Sequence, residues 1–447
     1  MASAAEQLAA NVNWSAFAKA TELQKRLWFT LGALIVFRLG TYIPVPGVDP
    51  AIMRDVFEQN ANGVFGMFNV FAGGALERMT IFALNVMPYI SASIIMQLMT
   101  TISPTVEQWK KEGEQGRKKI NQYTRYGTVI LAAFQAYGIS IGLEGLEGSG
   151  GNAVSDPGAF FRFTTVVTLT GGTMFLMWLG EQITSRGVGN GISLIIFAGI
   201  VAELPSALAG TLELGRLGTL STGIILFLII LIVAVIAFIV YMERAQRKVL
   251  VQYPKRQMGN RMVGGETSHL PLKLNTAGVI PPIFASSLLL MPVTVAQFSQ
   301  GQGPEWMQTI VAMLGRGQPL YLALYIGGII FFCFFYTSVV FNPNDTADNL
   351  KKNGGFVPGI RPGQRTAEHL DYILTRITVI GAAYLTAVCL LPELLISQWG
   401  VPFYFGGTSL LIVVSVTMDT VGQVQSHLLA HQYEGLIKKS RLRGGRR

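Results

Sequence analysis

Residues Gly223–Val240 read GIILFLIILIVAVIAFIV, an apolar run of 18 residues that contains no charge. A helix that crosses the hydrocarbon core of a bilayer needs about 20 such residues. Outward from this run, further apolar segments lie at about 24–44, 79–102, 122–143, 162–184, 190–208, 275–297, 318–341, 372–392 and 403–424. The segment at 190–208 is the weakest, being short and flanked by glycine. The set predicts an all-α integral membrane protein with ten transmembrane helices.

Composition agrees with this class. Half of the 447 residues are hydrophobic and only 13% are charged, against about 25% charged in soluble domains. So few charges exclude a soluble fold of this size, and with it disorder and coiled coil. Cys333 and Cys389 both sit in apolar runs, where they read as small buried hydrophobes rather than a disulfide framework.

Basic residues set the topology. Of the 34 Lys and Arg, 28 fall on one side of the ten-span map, five on the other (Arg54, Arg78, Arg162, Arg216 and Arg316), and Arg38 lies within the first span. The positive-inside bias therefore puts both termini in the cytoplasm. Cleavable signal features are not evident, since the first apolar run is long enough to span and lacks a small-residue cleavage site. Residues 5–23 place Leu8, Val12 and Phe17 at helical spacing. They fit either an amphipathic segment on the membrane surface or a frayed polar leader. The net charge of +9 faces a cytoplasm that holds anionic lipids, nucleic acid and acidic proteins.

Organisation is expected as an N-terminal segment (1–23), a first half of five spans (24–208), a second half of five (209–424) and a basic cytoplasmic tail (425–447). The halves meet near Leu204–Thr222. Five spans per half force opposite orientations, as in inverted repeats, although the residues display no convincing repeat.

The first external loop, Val45–Arg78, holds an apolar, aromatic stretch from Gly63 to Gly74 that is too short to span. It reads either as a short element dipping into a pore or as a loop resting on outer headgroups. The second and seventh spans carry prolines (Pro88; Pro281 and Pro282) with Asn85, Ser91, Gln97, Asn275, Ser286 and Ser287. Prolines kink a helix interior. Amides and hydroxyls in hydrocarbon need partners, so they either glue neighbouring helices or mark an interface that parts easily. Two cytoplasmic loops, at about 243–274 and 342–371, exceed ordinary connection length, and their Pro-Gly pairs predict structured hairpins.

Arg38 and Glu181 sit near span ends, where snorkelling suffices, and Asp419 lies near the cytoplasmic end of the tenth run. A chain of membrane carboxylates is missing, which counts against an ion-coupled transporter. Phosphate-loop and serine–histidine patterns are absent, so neither ATP hydrolysis nor other catalysis is expected. Gly187–Gly191 reads as a tight turn between spans. His427 and His431, four apart, are a weak metal candidate, and neither metal nor cofactor is expected.

The stretches Phe37–Gly47, Ile81–Gln97, Lys110–Gly127, Gly187–Val201, Leu270–Ser287, Phe341–Thr366 and Val401–Val414 together resemble the SecY/Sec61-alpha family of protein-conducting channels, across nearly the whole chain. The resemblance implies a clamshell of ten helices with a central pore, a plug and a lateral gate. It implies a constriction formed by Val86, Ile90, Ile192, Ile196, Ile283 and Ile412, with Val86 standing where isoleucine is more usual and widening the ring. A plug at about 64–74 is implied through Phe65, Met67, Phe68, Asn69, Phe71, Gly73 and Gly74. The gate lies between the second and seventh spans, around Ser91, Gln97, Asn275, Ser286, Ser287 and Met291. Lys255, Arg256, Arg261, Lys351, Lys352 and Arg361 then belong to loops that meet a SecA motor or a ribosome. Asn260 occupies a place where a second basic residue is expected. The implied partners are SecE and SecG subunits, SecA, the ribosome, signal peptides and nascent chains, the accessory SecDF and YidC, and anionic lipids, all at a bacterial inner membrane. The competing readings are a small-solute secondary transporter and an intramembrane enzyme.

Overall fold

The computed structural model describes residues 20–60, 69, 72–145, 147–148, 151–218, 221–254, 256–258, 261–263, 267–298, 313, 318–399 and 407–444. Six of its helices are long and apolar enough to cross a membrane, and the protein is a multi-span, all-α membrane protein. In chain order the first seven helices are α1 (Thr21–Gly40), α2 (Pro50–Asn60), α3 (Met87–Ile102), α4 (Pro104–Lys111), α5 (Glu114–Glu144), α6 (Ala159–Arg186) and α7 (Gly191–Arg216). A two-residue ladder, β1 (Glu147–Gly148) with β2 (Gly151–Asn152), separates α5 from α6. The second part holds α8 (Thr222–Arg244), α9 (Ile280–Phe298), α10 (Pro319–Val340), α11 (Pro343–Lys352), α12 (Gln364–Trp399) and α13 (Gly407–Gly444). Between α8 and α9 lie β3 (Gln246–Gln252), β4 (Arg256–Met258), β5 (Arg261–Val263) and β6 (Thr267–Lys273).

Each of the ten predicted segments contains one helix of 16 residues or more: α1, α3, α5, α6, α7, α8, α9, α10, α12 and α13. At about 1.5 Å per residue, the 31 residues of α5 overshoot a ~30 Å core. Its surplus is the polar first turns from Glu114, on the cytoplasmic side of the charge map. Helix α8 exposes Leu226, Ile230, Val233 and Phe238, a face that lipid covers at no hydration cost.

Four boundaries differ from the sequence expectation. Residues 81–86 are turns and α3 begins only at Met87, with Pro88 in its first turn. Likewise α9 begins at Ile280, so Pro281 and Pro282 fall in its opening turn. These prolines start helices instead of kinking them. The opening turn has no intrahelical partner for its N–H groups, so losing one there costs nothing. The expected connection at Leu204–Thr222 is mostly helix, because α7 continues to Arg216 through Pro205. The expected tail is likewise helical, as α13 runs on to Gly444.

One apolar cluster forms the centre. It joins Phe37 of α1, Leu176 and Ile183 of α6, Ile195 and Ile200 of α7, Ile239 of α8, Phe284 of α9, Ile329 of α10, Leu385 of α12 and Leu411 of α13. A second cluster, on the external side of the charge map, gathers Val45, Met53, Phe57, Met79 and Leu84 against α5 and α6. Both long loops are structured, but only the first forms hairpins: the second is α11, capped by Asn342, followed by turns. β3 and β6 pair antiparallel from Gln246↔Lys273 to Gln252↔Thr267. Phe356, in the other loop, adds to the β3 edge through reciprocal hydrogen bonds with Gln252 of 2.8 and 2.9 Å. Val249, Leu272, Val357, Leu370 and Ile377 then close one small core, so the two loops form a single platform.

Candidate functional site

The six ring candidates, up to 326 positions apart in the chain, all belong to the central apolar cluster. Val86 and Ile90 open α3, Ile192 and Ile196 open α7, Ile283 opens α9, and Ile412 lies in α13. The pairs 86/90 and 192/196 are spaced by one helical turn, which puts both members on the same face. Val86, Ile90, Ile196 and Ile412 are buried within the central cluster, and Ile192 and Ile283 are half-buried against it. Asn190 caps α7 through its side-chain oxygen, which accepts from the Ile192 N–H at 3.2 Å. All six side chains are aliphatic, so water between them finds no hydrogen-bond partner. A pore constriction built of such side chains would seal by dewetting and still yield to a chain that it does not bind.

The gate candidates separate into distinct roles. Ser287 of α9 reaches α3, its hydroxyl 4.0 Å from the Met87 sulfur. Ser286 instead donates to the Ile283 carbonyl of its own helix at 3.0 Å. Ser91 is half-buried, and the Gln97 side-chain oxygen is buried without a hydrogen-bond partner. Met291 lies on α9, and its side chain falls outside the described residues. Asn275 is not on the seam. Its amide donates to Glu243 at the end of α8 (2.6 Å) and to the Gly278 carbonyl (3.1 Å). Among the described side chains, the polar contact between α3 and α9 is the weak approach of Ser287 to Met87.

Of the plug candidates, Phe65, Met67, Phe68 and Phe71 lie outside the described residues. Asn69, Gly73 and Gly74 form a tied-down exit. The Glu77 N–H donates to the Asn69 side-chain oxygen (3.0 Å), and the Asn69 amide donates to the Glu77 carboxylate (3.2 Å). Gly73 and Gly74 both take left-handed conformations, with φ of 64° and 77°. A side chain at Gly73 would meet the Gly199 backbone of α7 at 2.9 Å. Arg38 donates to the Gly73 carbonyl at 2.6 Å and to the Tyr42 hydroxyl at 3.1 Å. It therefore does not snorkel as its position near a span end suggested. Arg38 and Arg78 both stand over the Tyr42 ring, 5.0 and 4.4 Å from its centroid. Neither arginine's role was visible in sequence, since nothing local links Arg38 to a carbonyl 35 positions away.

Among the loop candidates, Lys351 and Lys352 are exposed at the end of α11, and Arg361 is exposed on the platform. The Arg361 carbonyl accepts from the Thr366 hydroxyl at 2.9 Å. Arg256 and Arg261 sit in the β4–β5 ladder, where Met258 pairs with Arg261. Their side chains, and Lys255, lie outside the described residues. His427 is exposed, and the His431 side chain lies outside the described residues.

Residues 80–421 match the SecY family model. The chain belongs to the SecY family. It is 57% identical over 424 residues to a protein translocase subunit SecY of Escherichia coli K12, covering 95% of this chain and 96% of that one. The corresponding Vibrio cholerae subunit is 54% identical over 428 residues, with coverage of 95% and 96%. Among solved structures, one described as a protein-conducting channel aligns with a TM-score of 0.61 at 18% identity, covering 91% of this chain and 92% of that one. The Sec61 channel from a canine ribosome–channel complex aligns with a TM-score of 0.58 at 18% identity and the same coverage. At that identity the likeness establishes the SecY fold, a ten-helix membrane channel architecture, independently of close sequence relatedness.

Proposed function

We propose that this SecY-family chain is the protein-conducting channel of a bacterial inner membrane. It passes unfolded secretory polypeptides across and releases transmembrane segments sideways between α3 and α9. One observation carries the reading: six aliphatic residues from α3, α7, α9 and α13 gather in one buried cluster with no charge among them. The two parts, 24–208 and 209–424, act as the halves of a clamshell, with both termini cytoplasmic. A signal peptide brings an apolar core of 7–15 residues. Seated against α3 and α9 it binds the parted gate better than the closed one, and that differential affinity shifts the equilibrium toward opening. A membrane-bound segment leaves through the same opening, gaining about 0.3–0.6 kcal/mol per central Leu, Ile, Phe or Val.

The chain supplies the conduit, and a partner supplies the work. Arg361, Lys351 and Lys352 are exposed and suit a SecA ATPase or the polyanionic RNA of a ribosome, whose contacts weaken steeply with salt. Arg256 and Arg261 of the β4–β5 ladder add to the same basic loops. The exposed apolar faces suit SecE and SecG, the accessory SecDF and YidC, and anionic lipids at the basic side. A plug at 64–74 would join the described fold at Gly73-Gly74, where Arg38 holds the Gly73 carbonyl.

Depletion in cells tests the reading. Unprocessed secretory precursors should accumulate. Normal secretion with loss of one solute flux would instead support a small-solute transporter. Ile283→Asn or Ile412→Asn puts an amide into the constriction and should let signal-defective precursors through; unchanged export of those precursors would remove the ring from the account. Arg361→Glu should block motor-driven export while the protein still inserts.

A further inference from the structure

The gate helix α9 is joined to the cytoplasmic platform through a short non-helical link, residues 274–279. The link begins where β6 ends, so it is covalently continuous with the strand pair to which Phe356 adds. One flank is packed. The Leu274 N–H donates to the Ala245 carbonyl at 3.0 Å. A Cβ placed on Gly381 of α12 would stand 2.8 Å from the Leu274 carbonyl oxygen, so only glycine lets α12 approach this closely. The other flank faces a cavity of about 770 Å³ that reaches Asn190 and Ser193 of α7 and Ser415 and Asp419 of α13. Gly278, left-handed at φ 64°, has nothing within 4 Å of a built Cβ. The link therefore has a wall on one side, room on the other, and a free pivot.

The pivot is locked by a single side chain. Asn275, 5% exposed, holds the Glu243 carboxylate and the Gly278 carbonyl with the same amide group. One bond fixes the link to α8, and the other fixes the pivot's own conformation. A hydrogen bond to a charged carboxylate is among the stronger kind. Among the described side chains of the seam downstream, a hydroxyl stands near a thioether sulfur at 4.0 Å, a weaker contact.

We infer that Asn275, seated on Glu243, is a coupling residue: it makes α9 move with the platform, so that a partner docking near Arg361 shifts the gate. Without the lock, the platform turns about Gly278 and α9 stays behind. This rests on the proposed motor contact at Arg361. A contiguous chain of contacts warrants coupling only when a two-state element responds at its end, so the readout belongs at the seam.

Cysteines at Met87 and Ser287 supply that readout, since those side chains touch in the closed seam. The full chain carrying M87C and S287C, in nanodiscs with its partner subunits, is oxidised with and without purified SecA and a non-hydrolysable ATP analogue. The parent should crosslink several-fold more slowly when SecA is bound. With Asn275→Ala added, SecA should bind with unchanged affinity while the crosslinking rate changes less than twofold. Glu243→Gln keeps an acceptor oxygen for Asn275 and should retain the parent's response, which separates coupling from general damage. A response in Asn275→Ala equal to the parent's overturns the coupling role while leaving the motor contact standing. Failure of SecA to bind or slow the parent overturns both.

Discussion

The two helices that flank the proposed gate begin in closely similar ways. Asn85-Val86-Met87-Pro88-Tyr89-Ile90-Ser91-Ala92-Ser93 opens α3, and Gly278-Val279-Ile280-Pro281-Pro282-Ile283-Phe284-Ala285-Ser286 opens α9. Each starts on a left-handed residue, φ 48° at Asn85 and 64° at Gly278, and each sets a ring isoleucine three positions after valine-plus-one. The surroundings differ sharply. The approach to α3 is buried from Ala72 to Leu76 and from Met79 to Thr80. It is stitched to the end of α1 by Val45 N–H to Met79 carbonyl (2.9 Å) and Ile81 N–H to Ile43 carbonyl (3.0 Å). The approach to α9 borders a cavity and hangs on Asn275. Equivalent openings thus give one fixed jaw and one that can move.

Breaking the fixed jaw should have the largest effect. A Cβ on Gly172 of α6 would lie 2.0 Å from the Ile81 carbonyl oxygen, and a backbone oxygen has nowhere to go. Gly172→Leu should cost upwards of about 3 kcal/mol by overpacking. Its thermal melting in detergent should drop by several degrees or the protein should fail to accumulate. A parent-like melt would mean that the stretch before α3 is not rigid. Arg38→Leu comes next. It removes the 2.6 Å bond to Gly73 without touching the ring, and charge-assisted bonds of this kind are worth about 1.5–3 kcal/mol, discounted here because Arg38 is partly exposed. Resting ion conductance in planar bilayers should rise several-fold at nearly unchanged melting temperature; parent conductance would show that the plug exit holds without it.

Some of this was legible in sequence, and the reasons are physical. Span positions follow from apolar length alone, and the ring candidates could be named in sequence because they lie inside recognisable runs. The helix starts were missed because a proline within an apolar run looks interior. The left-handed Asn85 and Gly278 that mark the true starts carry no signal unless the two openings are laid side by side, when five of nine residues coincide. That short match is also the trace of repetition which a search over whole halves overlooks. Arg38 and Glu243 were misjudged or ignored for another reason. Their partners, Gly73 and Asn275, are 35 and 32 positions away, and a charge near a span end has snorkelling as its cheapest local explanation.

Gly278→Ala probes the mobile jaw with a smaller perturbation. Space around Gly278 is open, so the cost is conformational only, about 1–2 kcal/mol for a left-handed alanine. The same cost falls on every state that keeps φ positive. If opening swings the link through this residue, alanine shifts the closed–open balance by up to tenfold while melting changes little, and the M87C/S287C crosslinking rate measures that shift. An unaltered rate would place the pivot elsewhere in 274–279.

Ser287→Ala should do least. Its hydroxyl sits 4.0 Å from the Met87 sulfur, a distance at which a weak acceptor contributes a few tenths of a kcal/mol at most, and alanine removes no apolar packing between α3 and α9. Export of signal-bearing precursors should stay within twofold of the parent. A large gain in export of signal-defective precursors would mean that the seam itself, and not the root of α9, holds the gate shut. The contrast between the jaws would then lie in their touching faces rather than in how each is anchored.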